Sequence, residues 1–148
     1  MKEMKGIWFD MDGTIADFYG VADWLTAIHN FETRPYDKAK GLGNLAHIAR
    51  LLNKVQAIGY TVNVITWTAK GGNTEYNKAV AEVKKAWLAK HLPAVKWNEV
   101  KVVDYGTNKK TATNGYILFD DEEGNRKAWG ENAYEPADIV RVLKGLTR

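Results

Sequence analysis

The sequence predicts an α/β domain with a parallel sheet covered by helices on both faces. Three observations point there. Four short runs are rich in β-branched and aromatic residues, helical periodicity fills the gaps between them, and 148 residues with 45% apolar content suit one domain with its own core. Strands joined by helical crossovers lie parallel, and right-handed crossovers bring every strand C-terminus to one edge, where such folds bind ligands.

Lys5-Gly-Ile-Trp-Phe-Asp10 reads as a buried strand ending in an acid. Asp23 to His29 is expected to form a short helix. Leu45, Ile48, Ala49, Leu52 and Val55 recur at helical spacing, and Gly59 gives a stop. Val62 to Thr66 is the second strand and ends in a hydroxyl. Thr74 is the expected N-cap of a helix carrying Val80, Val83 and Trp87, with Pro93 beyond its end. Val100 to Val103 is the third strand, and the loop after it holds Lys109. Tyr116 to Phe119 is the fourth and leads into Asp120-Asp121. Ile139, Val140, Leu143 and Leu146 make a last amphipathic helix beginning near Pro136. No repeat, linker or low-complexity segment interrupts residues 1–148, so a single domain is expected.

Composition narrows the classes of function. The absence of cysteine excludes disulfides, thiolate metal sites and a cysteine nucleophile. No apolar run reaches the ~20 residues that span a bilayer, and the charged start lacks a signal-peptide core. A soluble, cytoplasmic chain with no membrane partner is expected. The net charge of +3 is mild and spread in short pairs such as Lys84-Lys85 and Lys109-Lys110. It suits phosphorylated substrates or nucleic acid without selecting either.

Three of the four strands end in reactive polar groups: Asp10 with Asp12, Thr66, and Asp120 with Asp121. On one sheet edge the four carboxylates repel, and all remain ionised only if a cation neutralises them. Hard oxygen ligands select Mg²⁺. Lys109 supplies the positive charge an anionic substrate needs, with Lys110 as a rival. Asp10-Met-Asp-Gly-Thr-Ile-Ala-Asp17 is not an EF-hand, because its sixth and twelfth positions are Ile15 and Val21 rather than glycine and glutamate. No Gly-Lys-Ser/Thr occurs, so a Walker loop fails too. His29, His47 and His91 lack metal-ligand spacing. Trp24, Trp87, Trp97 and Trp129 are assigned to packing. Trp67 either stacks on a base or forms a wall, and Arg126 is either a substrate contact or a solvated charge.

Asp10-Met-Asp-Gly-Thr after an apolar strand resembles motif I of the haloacid dehalogenase (HAD) phosphatases. Thr66 resembles motif II, Lys109 in Tyr-Gly-Thr-Asn-Lys motif III, and Asp120-Asp121 motif IV. Asp10 to Phe18 and Leu118 to Glu122 also resemble the 5′(3′)-deoxyribonucleotidase branch. The resemblance implies a Rossmann-like three-layer sandwich and a Mg²⁺-dependent phosphomonoesterase. In it Asp10 is the nucleophile that forms an aspartyl-phosphate, and Asp12 is the general acid and then base. It implies Mg²⁺ held by Asp10, the carbonyl of Asp12 and a motif IV carboxylate, with Asp121 favoured over Asp120. It further implies phosphate contacts from Thr66, Lys109 and the backbone at Gly13 and Thr14.

Between Thr14 and the helix that starts near Leu42 there is room for only a minimal lid, at about residues 18–40. The deoxyribonucleotidase branch carries a fuller helical cap. An open site takes a large phosphorylated substrate, or is closed by a second subunit of a homo-oligomer, or uses Phe18, Tyr19 and Trp24 as its lid. A phosphorylated small molecule is the expected partner, with nucleotides the preferred class. The alternatives are a nucleic-acid 3′-phosphatase and a non-catalytic phosphate-binding regulatory domain.

Overall fold

The computed structural model describes residues 5–148. Its centre is β1 (Gly6–Phe9), whose Ile7, Trp8 and Phe9 are all buried, as a strand covered on both faces requires. β1 pairs in parallel with β4 (Thr61–Trp67) on one side and β6 (Ile117–Phe119) on the other. β5 (Glu99–Val103) extends the sheet beyond β4, and β7 (Ala133–Tyr134) extends it beyond β6, giving the order β5-β4-β1-β6-β7. The chain winds outward from β1 in one direction and then returns to the other side, so β1 sits at the topological switch point.

Side-chain alternation splits the core into two layers. Ile7, Phe9, Val62, Val64, Ile117 and Phe119 face α3 (Leu45–Ala57), the C-terminal half of α4 (Thr74–His91) and α7 (Ile139–Leu146). Trp8, Ile65 and Leu118 face the other way, toward Ala112 of α5 (Lys109–Thr113) and Trp129 of α6 (Glu123–Trp129). The result is the expected Rossmann-like three-layer α/β sandwich.

A small excursion leaves the sheet after β1. Its ends meet in a two-residue antiparallel ladder, β2 (Ala16–Asp17) against β3 (Lys40–Gly41). Between them lie a 3-10 turn (Phe18–Gly20), α1 (Trp24–His29) and α2 (Arg34–Lys38). The excursion rests on the N-terminal half of α4 through a second core of Phe18, Tyr36, Ala69, Tyr76 and Val80. Two hydrogen bonds tie it to α4, one near each end of that helix: Tyr76 Oη to the Glu32 carbonyl (2.7 Å) and Trp87 Nε1 to the Ala39 carbonyl (2.7 Å).

Several elements differ from the sequence reading. The N-cap of α4 is Asn73, whose side chain accepts the Tyr76 amide at 2.8 Å, and Thr74 is the first helical residue. Lys109 opens α5, capped by Asn108, rather than lying in a free loop. A 3-10 turn at Pro136–Asp138 precedes α7. Strand β7 and helices α2 and α6, absent from the sequence reading, carry too few residues to show a period.

Candidate active site at the switch point

Asp10 continues β1 by one step. Its amide donates to the Phe119 carbonyl at 2.9 Å, which places it beside Asp120 at the end of β6. The chain then turns at once: the Met11 carbonyl accepts the amides of Thr14, Ile15 and Ala16 at 3.0, 3.0 and 2.9 Å. Gly13 makes this possible at φ +81°, and a Cβ there would also overlap the Asp121 carboxylate. Thr14 closes the turn onto β6. Its hydroxyl lies 3.1 Å from Asp10 Oδ2 and 3.4 Å from Asp121 Oδ1, and accepts the Asp121 amide at 3.1 Å.

Two buried lysines enter this cluster. Lys109 donates to Asp10 Oδ1 (3.0 Å) and to Asp120 Oδ2 (2.7 Å). Burial disfavours its charged form, but Asp10 and Asp120 outweigh this and raise its pKa. Its rival Lys110 turns away and caps the Gly115 carbonyl at 2.7 Å. The second lysine, Lys84 of α4, did not stand out as a candidate in the sequence. It donates to Asp12 Oδ2 (2.9 Å), Thr66 Oγ1 (2.7 Å) and the Trp67 carbonyl (2.8 Å). A signal existed: Tyr76, Val80, Lys84 and Leu88 follow one another at steps of four, so Lys84 lies on the buried stripe of its helix.

Asp10, Asp120 and Asp121 can each offer an oxygen within 4.8 Å of the others. With Asp12, four carboxylates face two ammoniums, an excess of two negative charges that one divalent cation would cancel. Hard oxygen donors of this kind suit Mg²⁺. Burial, and then the charge of Asp10, push the Asp120 carboxyl up to about 6 and that of Asp121 up to about 7. Burial also raises Asp12 above the ordinary carboxylate range; Lys84 opposes this without cancelling it, and Asp10 adds to it. Asp120 Oδ2 is engaged by Lys109 and Asn125 (3.1 Å), and Oδ1 by the Glu122 amide (2.9 Å). Among the described residues the Asp121 side chain has a single, long hydrogen-bond contact, to Thr14, and so retains more free lone pairs than Asp120.

Thr66 and Trp67 end β4 beside the same cluster. Thr66 is fully buried. The Trp67 indole donates to the Thr107 carbonyl at 2.9 Å, lies 5.1 Å from Lys109 Nζ and packs on Tyr105. Arg126 donates to the Asp120 carbonyl (3.0 Å) and approaches Glu135 (3.7 Å), which makes it a brace for the β6 end.

Asp12 also lines a cleft of about 620 Å³ between the excursion and the loops after β4 and β5. Tyr19, Trp24, Phe31 and Tyr36 line it from the excursion, and Lys70 and Tyr105 from the loops. Tyr19, Phe31 and Tyr105 are each about half exposed at 52%, 51% and 50%, so the large exposed aromatics of the described residues gather at this one mouth. Trp24, assigned to packing from the sequence, serves the cleft as well, whereas Trp87 and Trp129 are buried.

No family model and no curated protein matches the sequence. Among solved structures, the D,D-heptose 1,7-bisphosphate phosphatase of Burkholderia thailandensis is similar over 94% of this chain and 98% of its own, with a TM-score of 0.56. The likeness is one of fold. At 14% identity it extends the three-layer architecture to nearly the whole chain and leaves the chemistry to the residues themselves.

Proposed function

We propose that the chain is a HAD-type phosphomonoesterase acting on nucleotides through an aspartyl-phosphate on Asp10. The observation that carries this reading is the pairing of Asp10 and Asp12 at the switch point, each on its own buried lysine, with Asp12 opening onto an aromatic cleft. The structural neighbour is itself named a phosphatase, which supports the reaction class.

In this reading an Asp10 oxygen bonds to phosphorus as the ester P–O bond breaks. Asp12, whose carboxyl burial raises above the ordinary carboxylate range, passes a proton to the leaving oxygen. Asp12 then takes a proton from the water that cleaves the aspartyl-phosphate, and Asp10 is regenerated. Asp10, Asp121 and the Asp12 carbonyl would hold Mg²⁺, with Asp120 orienting Lys109. The ion supplies charge neutralisation for the phosphoryl oxygens. Lys109 has one donor beyond its two carboxylate partners, which suits a phosphate oxygen.

The cleft favours a planar leaving group. Tyr19, Trp24 and Tyr105 line it with aromatic rings on which a nucleobase could stack, and a sugar has no π-system to match them. The half-exposed rim favours a second reading, the phosphorylated end of a single-stranded nucleic acid.

Turnover of deoxynucleoside monophosphates, p-nitrophenyl phosphate and 3′-phosphorylated oligonucleotides, with Mg²⁺ or with EDTA, tests the proposal. Mg²⁺-dependent hydrolysis is expected, and Asp10→Asn should abolish it while leaving the thermal melt near that of the parent. Preference for oligonucleotides with a steep loss in salt would select the second reading. A parent chain inert across a broad phosphate panel would replace both with the phosphate-binding regulatory domain.

A further inference from the structure

Lys84 occupies a position where an apolar side chain would serve the fold. It lies one helical step from Val80 and one from Leu88, is 1% exposed, and has the Tyr36 ring centroid 5.1 Å from its Nζ. Burying an ammonium carries a large desolvation cost, and replacing a buried ion pair by packed apolar groups is often neutral or stabilising. Stability alone therefore gives a poor account of a lysine here.

Its hydrogen bonds give a better one. An ammonium has three donors. At Lys84 all three are taken, by Asp12 Oδ2, Thr66 Oγ1 and the Trp67 carbonyl, at 2.9, 2.7 and 2.8 Å. None remains for a substrate phosphate, in contrast to Lys109. The partners come from the turn after β1 and the end of β4, so one Nζ fixes the Asp12 carboxylate against two elements. Oδ2 is anchored, which leaves Oδ1 as the oxygen with which Asp12 can meet substrate.

We infer that Lys84 is a positioning residue that holds Asp12 in the orientation required for proton transfer to the leaving group. The inference rests on the phosphomonoesterase reading. Lys84 touches neither phosphorus nor the leaving oxygen, and it acts through Asp12.

The test is the dependence of rate on the leaving group. Esters with poor alkoxide leaving groups need the proton from Asp12, and p-nitrophenyl phosphate needs it little. Lys84→Met should lower kcat for a deoxynucleoside 5′-monophosphate by about 10²-fold or more, in the range general acid catalysis supplies, and for p-nitrophenyl phosphate by under about tenfold. Asp12→Asn should show the same bias, and adding Lys84→Met to it should cost little more, because the two changes remove one function. If Lys84→Met fails to fold, Lys84→Gln, which keeps a two-donor amide near Asp12, carries the test with the same expected bias.

Equal losses on both esters, or losses that multiply fully in the double variant, would overturn the role assigned to Lys84 while leaving the phosphatase standing. A parent protein inert on every ester would instead overturn the phosphatase reading, and this inference with it.

Discussion

Lys109 shows how closely charge is balanced in the site. It is the sole ammonium hydrogen-bonded to Asp10 and Asp120 among the described residues, and both its own side chain and that of Asp120 are buried. Removing one partner of such a pair leaves an uncompensated buried charge. Lys109→Met should therefore cost about 3–5 kcal/mol in urea unfolding without divalent cation. Changing Asp120 to Asn in the same chain should return part of that loss. At this scale the sequence was legible where function is written in adjacent letters: Asp10, Asp12, Gly13 and Thr14 form one turn, and Asp120-Asp121 one strand end. Lys84 was hidden because its importance comes from a stripe of residues four apart, and beside Lys85 it resembles an ordinary surface pair.

The elements divide into those with a legible pattern, among them α1 of the excursion, expected at Asp23 to His29, and those too short to show one. β1, β4, β5 and β6 were each visible as apolar runs, and α3, α4 and α7 as periods. β7 has two residues and α2 five, too few for either pattern. What organises the excursion is aromatic contact across sequence: Phe18 stacks on Tyr36 at 4.6 Å, and Tyr19 meets Trp24 edge-on at 5.0 Å. These rings form one wall of the cleft, and Tyr105 belongs to the opposite loop. If a base sits between them, Tyr105→Ala should weaken nucleotide binding by about 1–3 kcal/mol. The change should appear as a raised KM for deoxynucleoside monophosphates, with kcat and the kinetics of a small alkyl phosphate almost unmoved. Equal effects on both substrates would remove the stacking role.

For the whole molecule, the decisive fact is the strand order, which the sequence implied only as parallelism. The return of the chain from β5 to β6 puts β1 in the middle and gathers acids 110 residues apart in number, Asp10 and Asp120, onto adjoining strand ends. No helix among the described residues is long and apolar enough to cross a membrane. Gathering the acids has a cost that pH exposes. Asp120 and Asp121 hold protons more tightly folded than unfolded, so their contribution is greatest below the ordinary carboxylate pKa and is lost as pH rises through about 6 and about 7. In EDTA, this pair should lower the melting temperature between about pH 4 and pH 8, and Asp121→Asn should flatten that decline. Mg²⁺ should raise the melting temperature more at the upper end of the range, where both carboxylates are ionised and free to bind it.

The ladder of Ala16 with Gly41 and Asp17 with Lys40 brings the two ends of the excursion to the same doorstep. A segment that departs and returns at one point makes few demands on its own length, since closing a longer loop adds entropy only logarithmically. The ladder is therefore a natural splice junction: cassettes of different size could be exchanged there to change what the cleft admits, while the acids and lysines beneath stay in register.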